Sequence, residues 1–511
     1  MKPSTKLLLG LPALLLINSG YAQKILKPFP KNEWHVERSN EASGNSYTSS
    51  AFRKNINYLP NGGAVAAVDF NKGECGAARI DEKGKTLWEY KVKGEAVGIS
   101  RMKDNSIVFY SNKEIGNNLF RANNRVISST VRAAIINTES GKLVKDILMY
   151  DNGERIKIES KPLNKPDGSF ATLFVRVTDT DGDGYTIKKL IEKTLASPKI
   201  LIIGIDNNIN PKATEIKSPG QQGFFVGAEL GTNDDLYLST ILDDQLLAEQ
   251  FNSSGKLVNK LTVPLAVRTS RNIASLTSVD PKNPTSLFLA LDYNTKDKDV
   301  VHQVFEFNFK DKKVSGTGEQ DLNKAYTNSF EEVEIKELRN GYKSSNMEEY
   351  QLSNLLINDD RIIIIKGYQS ALSTDRSTHY QNGKVAIEIF DRNWKRLKGI
   401  TLDRRFELYD PECRSIGATI NNGKLYTIFP GFSGLARIET LFAQLDLSSL
   451  TVDKFVVLDN PYTHSSTRGP VVESDASIWL KDGVLMENCG DESGFFSAKR
   501  NVSSFWQKIE Y

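Results

Sequence analysis

The chain has 511 residues, with 66 Lys and Arg against 63 Asp and Glu and a formal net charge of +3. That near balance, without any long basic block, argues against nucleic acid as a partner. The four histidines, His35, His302, His379 and His464, lack metal-ligand spacing such as H-E-x-x-H.

In chain order, residues 1–22 read as a secretory signal. Lys2 and Lys6 give a positive start, "LLLGLPALLLI" (7–17) an apolar stretch, and "GYA" (20–22) a small-residue end, so cleavage after Ala22 is expected. An apolar run of about eleven residues is too short to span roughly 30 Å of hydrocarbon. No later stretch approaches twenty apolar residues, and no Cys follows the cleavage site. The expected product is exported, soluble and without a lipid anchor, placed in the periplasm with secretion as the alternative. Residues 23–511 read as one domain.

"ARIDEKGKTLWEYK" (78–91) is an alternating run, a turn at Lys83 and Gly84, and a second run carrying Trp88. Close copies follow at 134–148 and 247–263, and looser ones at 202–217, 304–318, 386–402, 442–458 and 495–511. Before many of these lies another pair of short runs around a polar turn, as at 96–111, 224–240, 275–293, 352–368 and 416–432. Two consecutive hairpins give a four-stranded unit of roughly 61 residues, the scale of a propeller blade. Such a unit cannot bury both faces alone, so units stack and close into a ring. The sequence predicts an all-β fold, a single eight-bladed β-propeller, with seven blades as the alternative. Residues 24–40, including "EWHVERS" (33–39), are expected to add a strand that fastens the ring's ends.

"IDEKGKTLWEY" (80–90), "INTESGKLVKD" (136–146) and "FNSSGKLVNK" (251–260) resemble the repeat of the pyrroloquinoline-quinone-type propellers, roughly Ala-x-Asp-x-x-Thr-Gly-Lys-x-x-Trp. That family contains quinoprotein dehydrogenases and also non-enzymatic envelope scaffolds. The dehydrogenases carry a vicinal cysteine pair and several tryptophans around the quinone. Here Cys75, Cys413 and Cys489 are far apart, only Trp88 holds a good repeat position, and Trp394 falls in a turn. The resemblance therefore implies the scaffold branch, with no quinone.

Long polar connections at 319–351, 367–384, 404–415 and 459–470 are expected to emerge on one face, where binding resides in a rigid scaffold. On that face stand Asp410, Glu412 and Arg414. His464, Arg468, Asp491 and Glu492 follow from the last unit. They are binding-face candidates, with a solvated polar rim as the plainer reading. "DTDGDG" (179–184) sets Asp179, Asp181 and Asp183 at positions 1, 3 and 5 of a calcium loop, with Gly184 at position 6; position 12 is Leu190, so the bidentate Glu is missing. The competing reading is an Asp/Gly turn, with a short helix over 185–195 after it. Cys75 and Cys489 are expected between the second and third strands of the first and last blades, where a disulfide would close the ring covalently. Cys413 is the rival partner for Cys489, and three thiols remain an open alternative.

The sequence carries no complete catalytic set. The expected function is a non-catalytic protein-interaction scaffold of the cell envelope, docking on or occluding an outer-membrane barrel or secretion component. The alternative is a carbohydrate-active or glycan-binding propeller, favoured by the polar face and by Tyr368, Tyr380, Tyr409 and Tyr462.

Overall fold

The computed structural model describes residues 52–510 with breaks, the longer ones at 115–127, 165–170, 180–198, 335–349, 409–415, 459–470 and 492–501. Every regular element among the described residues is a β-strand. No helix among them is long and apolar enough to cross a membrane.

Six sheets share a body of four consecutive antiparallel strands in chain order and form regular blades, 52–93, 95–151, 156–216, 224–264, 274–316 and 417–458, the fifth with Gln320–Asp321 added beside Val301–Asn308. Between the fifth and sixth blades lies a composite sheet of six strands. A terminal sheet of three strands, Val471–Leu480, Gly483–Asp491 and Val502–Glu510, follows the sixth. The expected eight regular blades, and the seven-bladed alternative, are thus corrected to six.

Two local events explain the difference. The stretch 367–384, expected to be a loop, instead continues as paired strand: Arg361–Thr374 and Ser377–Asp391 remain in register from Gln369 opposite Asn382 to Thr374 opposite Ser377. Glu331–Val333 then adds in parallel beside Arg396–Leu402. In the terminal sheet, 495–511 contributes one described strand rather than a hairpin.

First strands line the axis. Phe52–Tyr58 packs against Glu95–Arg101, the pattern repeats around the molecule, and Val471–Leu480 returns to Phe52–Tyr58. The ring therefore closes by packing of its first blade on its terminal sheet. Middle strands are buried on both faces and read as apolar runs, as in Ser286–Tyr293, where every residue is buried. Outer strands keep one wet face, so Thr86–Lys93 alternates strictly between half-buried and exposed residues.

The outer hairpins owe their turns to one device. Asn137, Asn252, Asp391 and Asp446 each accept backbone N–H bonds on the side chain: Ser140 N at 2.9 Å, Lys256 N at 3.0 Å, Asn393 N at 2.9 Å and Ser448 N at 2.8 Å. Three or four residues later the chain turns left-handed, at Gly141, Gly255, Trp394 and Leu450. Gly141 has a second reason to be glycine. A Cβ there would lie 2.6 Å from the Trp88 ring, whose Nε1 donates to Thr138 O at 2.8 Å. The outer hairpin of the first blade is thereby seated on the turn of the second.

Candidate functional site

The fifth blade and the composite sheet meet across a buried cluster of charged and phenolic groups. Asp292 and His302 are direct cross-strand partners in the fifth blade. His302 is fully buried, and its Nδ1 lies 2.7 Å from Asp292 Oδ1. The other carboxylate oxygen of Asp292 accepts from Leu352 N of the composite sheet at 3.0 Å, so one carboxylate ties the two sheets together.

From the composite sheet come Lys366 and Glu388, diagonal neighbours on adjacent strands and each 1% exposed. Lys366 Nζ donates to the Tyr326 hydroxyl at 2.9 Å and lies 3.8 Å from Glu388 Oε2. The Tyr326 hydroxyl in turn donates to Glu388 Oε2. Tyr326 belongs to a strap, residues 320–333, that leaves the fifth blade at Gln320–Asp321 and joins the composite sheet at Glu331–Val333. Tyr350 and Phe330 pack around the Tyr326 ring, at centroid distances of 5.5 and 5.3 Å. The strap is thus held by one hydroxyl on two charges and by tilted and edge-on ring contacts.

Burial dominates the protonation of these groups. It lowers Lys366 to about 8 against the pull of Glu388, and raises the Tyr326 hydroxyl well above its usual value, with the Glu388 charge adding to the effect. Burial, and then the Lys366 charge, hold His302 below its ordinary range although Asp292 opposes them. Nearby, fully buried Arg404 donates from Nε to Gly383 O at 3.0 Å, and burial lowers it to about 9.

The sign of the His302 effect makes a test. Between the lowered folded pKa and about 6.5, the unfolded chain holds a proton that the folded chain lacks, so stability falls as pH drops through that window. Denaturant midpoints from about pH 7 to pH 5 should decline with a His302 share of at most about 1.4 kcal/mol per pH unit. His302→Gln should flatten the profile; an unchanged slope would show that His302 titrates alike in both states.

These contacts tie the fifth blade, the stretch carrying Tyr326 and the composite sheet together. His302 Nε2 is buried with no hydrogen-bond partner among the described residues. Outside the cluster, a groove of about 540 Å³ opens between 328–331 and 396–399, and Arg396 bridges the two regions, with Nη1 3.6 Å from Glu388 Oε1.

None of the residues chosen from sequence enters this cluster. Asp410, Glu412, Arg414, His464, Arg468 and Glu492 lie outside the described residues, as do Asp181, Asp183, Cys413 and the segments 24–40 and 185–195. Asp491 and Asp179 each end a strand, opposite Val502 and Ile156. Cys75 lies inside the third strand of the first blade, not between strands as expected; it is buried beside Ala67, Ala77 and Val92. Cys489 lies within Gly483–Asp491, opposite Ser504. Among the described residues no three His, Cys, Asp or Glu side chains gather as a metal site. Of the four histidines, His302 lies inside Val301–Asn308, paired with Asp292. The cluster did leave a trace in sequence: Asp292, His302, Lys366 and Glu388 are polar residues set in the largely apolar runs "SLFLALDY", "VVHQVF", "IIIIK" and "VAIEIF".

Sheets in a closed ring, with a buried polar cluster joining two of them, define an all-β propeller. No protein-family model and no curated protein matches the sequence. Solved structures similar to it include a eukaryotic initiation factor (12% identity, 91% of this chain and 92% of that one, TM-score 0.42). Others are prolyl oligopeptidase B from Galerina marginata (10%, 87% and 56%, 0.43) and the WD40 domain of SCAP from fission yeast (9%, 95% and 97%, 0.39). At these values the likenesses carry no inference about activity.

Proposed function

We propose that this protein is a non-catalytic scaffold of the cell envelope, exported by residues 1–22, that uses its propeller to hold a protein partner such as an outer-membrane barrel or secretion component. The observation that carries the reading is the hairpin of Arg361–Thr374 and Ser377–Asp391. Its strands have 14 and 15 residues, whereas no other strand among the described residues exceeds 10. Past the irregularity between Gly367 and Gln369, six further residue pairs extend it, and Phe406–Leu408 pairs with Tyr380–Asn382. An extension of this kind on a rigid ring is suited to recognition. The likeness of the outer hairpins to pyrroloquinoline-quinone-type repeats supports the scaffold branch of that family. The sealed polar cluster supports the same reading, since its charges are spent on each other.

A photo-crosslinking residue placed at Leu372 or His379, near the hairpin tip, should give a discrete adduct in intact cells that fractionates with the envelope. The same residue at Val258, exposed on the outer strand of the fourth blade, should not. Absence of adducts at the tip, or equal adducts at Val258, would refute this role for the hairpin.

A further inference from the structure

The strand Arg396–Leu402 is covered on its outer side only in part. Glu331–Val333 pairs with its last three residues, Ile400, Thr401 and Leu402. Beside 396–399 no strand lies among the described residues; the groove of about 540 Å³ opens there, with 328–330 as its far wall. An uncovered strand edge offers backbone N–H and C=O groups at the spacing of another extended chain.

The side chains around this slot join its two walls and give it a sign. A Cβ on Gly399 would lie 2.6 Å from the Phe330 ring, so glycine at this position lets the ring lie directly against the strand. The Arg396 guanidinium lies 5.4 Å over that ring and donates from Nη2 to Ser329 Oγ at 3.1 Å. Lys398 pairs with Glu331. Two cations therefore face one carboxylate along the groove, and the net charge of its walls is positive.

We propose that this slot binds a short, extended, acidic peptide segment, which adds to the edge at 396–399 in the ladder position that Glu331–Val333 occupies one step further on. Four residues of edge correspond to about 13 Å of extended chain. Backbone pairing supplies the geometry, and Arg396 and Lys398 select acidic side chains over basic ones. This inference rests on the protein-interaction reading and names the partner's chemistry at a second place on the same sheet.

The test is fluorescence anisotropy of the full chain with a fluorescein-labelled, acetylated hexapeptide alternating valine and aspartate. Saturable binding is expected, weakened about fivefold by Lys398→Glu. Replacing a central valine by proline, which removes a ladder donor, should weaken it about tenfold. A lysine-for-aspartate peptide should bind less well than either. Lys398 is half-buried and pairs with Glu331, so the melting temperature of its variant is read beside the titration, and the proline peptide tests the ladder with the parent protein unchanged. Binding that is indifferent to proline or to Lys398→Glu, or no binding at millimolar peptide, overturns the slot. Loss of peptide binding with hairpin crosslinks intact refutes the slot alone. Peptide binding without hairpin crosslinks refutes the hairpin role alone.

Discussion

Glu388→Gln is expected to lower the unfolding free energy by about 3–5 kcal/mol, the usual cost of removing one partner from a buried ion pair. The substitution keeps the shape but leaves Lys366, 1% exposed, without the carboxylate that most strongly supports its charge. It also weakens the Tyr326 anchor of the strap, because the hydroxyl loses an ionised acceptor. Lys366→Met combined with Glu388→Leu should recover at least half of the loss, since apolar replacement of a buried pair is often neutral or better. Guanidinium denaturation of the parent, Glu388→Gln and the double variant measures the loss and its recovery. A loss below about 1 kcal/mol for Glu388→Gln would mean that the cluster is not held together by charge.

Gly63→Ala should cost about 3 kcal/mol through the backbone alone. Gly63 closes the first turn of the first blade at φ +73°, accepting a hydrogen bond from Leu59 N at 3.0 Å. A Cβ there would stand 2.1 Å from Ile80 O and 2.9 Å from Asp81 Cα, atoms fixed in and just after the neighbouring strand. Gly423 supplies the control. It has the same φ, but a Cβ would meet nothing within 4 Å, so Gly423→Ala should cost only the left-handed strain, about 1 kcal/mol. Equal losses in the two variants would show that the contact with Ile80 relaxes freely.

The hairpins at 78–91, 134–148 and 247–263 were legible in the sequence because what makes them is local. An Asn or Asp bonds its own turn in all three, Gly141 and Gly255 take positive φ in the second and third, and the flanking runs alternate with a period of two. The paired runs at 96–111, 224–240, 275–293, 352–368 and 416–432 formed strands for the same reason. The propeller class follows from their repetition, which no single sheet can satisfy alone. The number of regular blades did not follow. Residues 367–384 look like a loop because they are polar on both faces, and they are strand only because each half pairs with the other. Glu331–Val333 is three residues whose extended form comes entirely from the edge at Ile400–Leu402.

The polar cluster marks the same boundary. Asp292, His302, Lys366 and Glu388 each stand in a largely apolar run, and nothing within any run names its partner. Asp292 meets His302 through one hairpin, and Lys366 meets Glu388 through another. The two pairs reach each other, and Tyr326 of the strap, only where the fifth blade packs on the composite sheet. Sequence determined which segments pair with their neighbours, because turn chemistry and period-two burial act over a few residues. Tertiary structure alone decided which charges are buried together, because desolvation and ion pairing depend on surfaces that ring closure brings face to face.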